Sequence, residues 1–96
     1  MTAPFPFASD PEADRTAQAA VEALADSIAK TVRLSRAFAS SNRPVDLAGL
    51  DSGVGLLCAK ALDLPPDRGR QLRPRLVALR QELEELGRTL REGAPP

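Results

Sequence analysis

Apolar positions along this chain recur at spacings of three and four, the period of an amphipathic helix, and nowhere alternate as a half-buried strand would. The first such stretch predicts a helix over about 10–40. Ala17, Val21, Leu24, Ala25, Ile28, Val32, Ser35 and Ala39 fall on one face, with Glu22, Asp26, Lys30 and Arg33 opposite. A second flank carries Ala20, Ala23, Ser27, Thr31, Leu34 and Phe38. This apolar and small surface is wider than one neighbour needs, so the helix is expected to meet two. The second stretch, over about 46–63, repeats Leu47, Leu50, Val54, Leu57, Ala61 and Leu64, and Cys58 and Leu62 widen its stripe. The third, over about 67–92, is the cleanest. Leu72, Leu76, Leu79, Leu83, Leu86 and Leu90 form a leucine seam of nearly three heptads. Such a seam serves either an intramolecular core or an intermolecular coiled coil.

Punctuation residues set the ends. Ser9 or Asp10 can cap the first helix, Pro11 suits its first turn, and Ser9 with Glu12 has capping-box spacing. Ser40-Ser41-Asn42-Arg43-Pro44 stops it, because Pro44 keeps Arg43 out of the helical region. Asp46 is a good cap for the second helix. Gly49, Gly53 and Gly55 lie inside that helix, each costing about 1 kcal/mol relative to Ala. Either residues 46–51 form a separate turn, or Gly49 and Gly53 let another backbone approach closely. Leu64-Pro65-Pro66-Asp67 ends the second helix. The third starts at Asp67, with Pro74 kinking it, or at Pro74 itself. Arg80, Glu84, Arg88 and Glu92 make an i,i+4 ladder of alternating sign.

Residues 1–8 read as an extended tail, since Pro4 and Pro6 disfavour helix before them. Phe7 either covers the start of the first helix or, with Phe5, belongs to a short docking peptide. Residues 9–93 make a single helical domain and 94–96 a frayed end. No Tyr or Trp is present, and Leu, Ala, Arg and Glu, all good helix formers, dominate.

Charge adds little. The 13 basic and 13 acidic residues cancel, so global electrostatics points neither to nucleic acid nor to a membrane surface. With one cysteine, Cys58, no intrachain disulfide can form, and the reduced cytoplasm is the expected compartment. Met1–Phe7 lacks the features of a signal peptide, and no apolar run approaches a membrane span of about 20 residues.

Candidate chemistry is defined by what is missing. Without His, the commonest general acid–base and metal-ligating side chain is absent, and a lone Cys builds no zinc site. The glycines match no phosphate-binding loop. No catalytic residue, metal or cofactor is therefore expected, and no small-molecule substrate. Cys58, on the apolar stripe of the second helix, is expected in the core. Arg68, Arg70, Arg73, Arg75 and Arg80 form one local basic run. It is either a solvated face partly paired with Glu22 and Asp26, or a patch for an anionic partner. Leu56 and Val77 fall off their helices' main stripes, and exposed apolar surface of that kind marks an interface.

The expected fold is all-α, a small antiparallel three-helix bundle, with an elongated helical hairpin completed by dimerisation as the alternative. The expected function is a non-catalytic helical protein–protein interaction module: an adaptor, small chaperone or assembly factor. It would contact a protein partner or a second copy through Phe5, Phe7, Leu34, Phe38, Leu56 and Val77. The alternative is a nucleic-acid-associated helical protein using the Arg68–Arg80 cluster, although no helix-turn-helix is readable, and an enzyme is the remote alternative. In outline, with long helices, small size and no cofactor, the chain looks like small bacterial export chaperones, including the flagellar ones. The likeness is architectural, and no motif carries it.

Overall fold

A computed structural model describes residues 10–92. They form three helices, α1 Pro11–Ser40, α2 Leu47–Leu62 and α3 Pro66–Glu92, and the fold is the expected all-α three-helix bundle. The tail with Phe5 and Phe7, and residues 94–96, lie outside the described residues.

Local chemistry explains each boundary. Asp10, in an extended conformation, accepts the amides of Glu12 (3.0 Å) and Ala13 (3.3 Å) as N-cap, with Pro11 in the first helical position. α1 ends in a Schellman motif. The Arg43 amide donates to the Phe38 carbonyl (2.8 Å) and the Asn42 amide to that of Ala39 (3.2 Å). Asn42 takes the left-handed conformation this needs (φ 59°). Asp46 caps α2 by accepting the Gly49 amide at 2.8 Å. Residues 47–51 are therefore helical, not a separate turn. α3 starts earlier than either expectation, at Pro66, whose missing amide costs nothing in the first turn. Pro74 lies inside α3.

Cross-helix contacts give the topology. Gln18 meets Gln71, Glu22 meets Arg75, and Arg36 meets Glu82 and Glu85, so α1 and α3 run parallel. α2 runs antiparallel to both, with Gly53 over Ile28 and Leu64 beside Val21. The turn Asp63–Pro65 and the N-termini of α1 and α3 define one end of the bundle, called the lower end below.

The core follows heptads. From α1 come Val21, Ala25, Ile28, Val32 and Ala39. Leu50 and Leu57 come from α2, Leu64 from the turn, and Leu72, Leu79 and Leu86 from α3. Burying one such leucine stabilises by about 1.5–3 kcal/mol. α1 serves both neighbours with this one seam, not with the predicted second flank. Ala20, Ala23, Ser27, Thr31 and Leu34 stay exposed. Ala17 is also exposed, and Gln18 is buried in its place. The Gln18 amide is admissible because it is fully used: Nε2 donates to Gln71 Oε1 (2.8 Å), and Oε1 accepts from Arg68 (2.8 Å). Among the described residues, no buried side-chain polar atom lacks a partner.

Candidate interaction surface

α1 packs along both α2 and α3, but α2 and α3 meet each other only sparsely. The third interface of the bundle is thus a groove. Leucine placement on α3 creates it: Leu72, Leu79 and Leu86 are buried, while Leu76, Leu83 and Leu90 are only half-buried and turn towards α2. The predicted leucine seam is split between the core and the groove.

Two hollows occupy the groove. The lower one, about 550 Å³, has a floor of Ala61, Leu62, Leu76 and Val77 and a rim of Arg70, Arg73 and Arg80. No carboxylate lines it. The upper one, about 360 Å³, is lined by leucines of α2 and α3, Val54, Gly87 and a single charge, Asp51. Leu62 is 85% exposed, and Leu47, in the upper hollow, is exposed as well. Both belong to the apolar stripe that the sequence predicts for α2. That stripe, 47-50-54-57-61-64 broadened by 58 and 62, is wider than the single contact α2 makes with α1. Its excess width was the readable signal for the groove.

The remaining candidate residues do not converge. Val77 lines the lower hollow. Leu34, 55% exposed, and Phe38 lie on the outer side of α1. Leu56, 50% exposed, stands two residues from Val54 and therefore about 200° round α2, away from the groove. Cys58 is exposed, contrary to the core position expected. Helical spacing sets it four residues after Val54 and three before Ala61, on the groove wall.

The five arginines divide into two sets. Arg68 donates to Gln18 and, at 3.4 Å, to the Pro11 carbonyl. Arg75 pairs with Glu22 (2.8 Å) and Asp26 (3.4 Å). These two fasten α3 to α1. Glu22 and Asp26 accordingly flank the α1 seam instead of facing away from it. Arg70, Arg73 and Arg80 face the groove. Arg70 pairs with Asp67 and Arg80 with Glu84 (3.5 Å), both on the solvent side. Arg73 has no carboxylate at ion-pair distance among the described residues. The i,i+4 ladder of α3 is realised only at Arg80–Glu84, because Arg88 pairs with Glu85 instead (3.0 Å).

Among the described residues, no group of three His, Cys, Asp or Glu side chains is placed to hold a metal ion, and no helix is long and apolar enough to cross a membrane. Comparison with protein-family models, curated proteins and solved structures returns no match.

Proposed function

We propose that the chain is a non-catalytic protein–protein interaction module of the adaptor, small-chaperone or assembly-factor kind, and that the α2/α3 groove is its working surface. One observation carries this reading: Leu62 is 85% exposed beside an apolar hollow rimmed by arginines. A leucine held in water forgoes about 1.5–3 kcal/mol of burial. Parallel walls of two helices form the seat that an amphipathic helix fills in helix-in-groove recognition, with apolar anchors below and charge at the rim. Splitting of the arginines weighs against a nucleic-acid role. Two of the five are spent inside the fold, and no aromatic side chain stands with the other three for base stacking.

Affinity capture from native lysate tests this. The full chain is compared with a Leu62→Asp/Val77→Asp variant and with a chain lacking residues 1–8. Proteins held by the full chain and lost from the groove variant are the expected result. An identical set on both baits removes the groove as the working surface. Nucleic acid retained through Arg70, Arg73 and Arg80 turns the reading to the alternative.

A further inference from the structure

The chemistry of the groove identifies an occupant. This inference rests on the groove being the working surface and names what seats there. The lower hollow is lined by Arg70, Arg73 and Arg80 and by no acid, but Arg70 and Arg80 already have partners in Asp67 and Glu84. The charge lining the upper hollow is Asp51, with the Arg91 guanidinium against Gly87 on its α3 wall. Arg73 and Asp51, the two lining charges with no ion-pair partner among the described residues, are complementary to each other. A surface with that property closes on a copy of itself turned end for end, which is what a two-fold axis does. We infer that a second copy of this chain seats in the groove, antiparallel, with Arg73 of each copy opposite Asp51 of the other.

The heights of the hollows along the bundle agree. Val54 shares the upper hollow with Leu83, and Ala61 shares the lower one with Leu76. Cys58, between them on α2, is thus level with Leu79 and Arg80. Asp51 is level with Leu86 and Gly87, roughly a heptad above that point. Arg73 lies roughly a heptad below it. A two-fold axis through the level of Cys58 brings each Arg73 onto Asp51 of the other copy, about 10 Å either side of the axis. It also sets the two Cys58 side chains level with the axis, one on either side of it.

The size is adequate. With 16 residues in α2, the face runs about 24 Å along that helix and about 37 Å along α3. Two packed helices make it about 19 Å wide. The projected footprint is about 600 Å² before side-chain relief is counted, on the scale of the about 800 Å² each partner gives to a standard interface.

The other apolar surface of a second copy fits less well. The α1 face with Leu34 and Phe38 has Lys30 as its neighbouring charge, since Arg33 and Arg36 turn to Glu82 and Glu85 of α3, so it brings no acid to an arginine rim. Pairing α1 of one copy with the groove of another is also heterologous and need not close.

Sedimentation of the purified full chain tests the proposal, with helicity followed by circular dichroism as the control for folding. The wild type is expected to be a dimer. Leu62→Asp, at a site already in water, is expected to leave helicity intact and give a monomer. Arg73→Asp and Asp51→Arg are each expected to weaken association about tenfold, and the double variant to restore it to within about threefold, the signature of a direct contact between copies. These two residues sit in different hollows of one chain, so the rescue cannot arise within a monomer. A short bifunctional maleimide is expected to join two chains through Cys58. A wild type that stays monomeric at high micromolar concentration overturns the proposal. So does a dimer that survives Leu62→Asp, a dimer broken by Phe38→Asp instead, or a double variant no better than the singles. A monomer that still captures a protein through the groove overturns the second copy while leaving the interaction module standing. A chain whose groove variant changes neither sedimentation nor capture removes both.

Discussion

Gly49 and Gly55 sit in the same helix and lack a side chain for different reasons. A Cβ on Gly49 would collide with the Asp46 carboxylate that caps α2. A Cβ on Gly55 would meet nothing within 4 Å. Gly55→Ala is therefore expected to stabilise the chain by about 0.5–1 kcal/mol, the helix-propensity difference. Gly49→Ala gains the same propensity but displaces the cap, worth about 1 kcal/mol, and is expected to be neutral or destabilising. Urea titrations of the two variants check the contrast, and equal gains would show that the Asp46 cap contributes nothing. Gly53 does not meet the close-approach expectation, since a Cβ there would touch only the Ile28 side chain of α1, at ordinary van der Waals distances of 3.6 and 3.7 Å. Periodicity exposed the glycines but not their roles, because those depend on what lies across from them. The same limit explains Gln18. A glutamine at a heptad position reads as surface until Gln71 and Arg68, more than 45 residues away, are seen to satisfy it.

At the scale of an element, the apolar spacing of three and four was sufficient to find all three helices, and caps and prolines placed their ends. What periodicity could not divide was a broad stripe between a neighbour and solvent. α2 buries Leu50 and Leu57 and leaves Leu47 and Leu62 exposed, though all four belong to one apolar surface. Cys58 was misplaced for the same reason. α3 shows the converse, a helix that tolerates a breaker. Pro74 removes a donor from the interior of α3, leaving the Arg70 carbonyl without its helical partner, but it is exposed, so water can serve that oxygen. Pro74→Ala is expected to restore the bond and raise stability by up to about 3 kcal/mol. Thermal unfolding followed by circular dichroism measures this. An unchanged or lowered midpoint would mean that α3 needs the proline for its fit against α1.

Across the whole molecule, charge order fixes which helices pair and in which direction. α1 is acidic below, at Glu22 and Asp26, and basic above, at Arg33 and Arg36. α3 is the reverse, with Arg75 below and Glu82 and Glu85 above. Sliding or inverting α3 would set like charges together. Exposed pairs of this kind contribute only about 0–1 kcal/mol each, so they select the arrangement more than they stabilise it. Arg33→Glu/Arg36→Glu is expected to destabilise by about 1 kcal/mol in low salt and by less in high salt, as screening removes the repulsion. A loss that does not depend on salt would trace to packing by the arginine stems instead. Net charge, at zero, hides this order entirely, and only the cross-helix partners reveal it. The parallel course of α1 and α3 has a mechanical consequence. Asp10 and Glu92 leave the bundle at opposite ends, so a pull between them loads the α1–α3 seam in shear along its length. Contacts spread over the seam would then have to slip together, whereas in a hairpin of adjacent ends they would peel one at a time. A tether at both ends of the bundle should therefore be resisted far more strongly than the modest size of its core suggests.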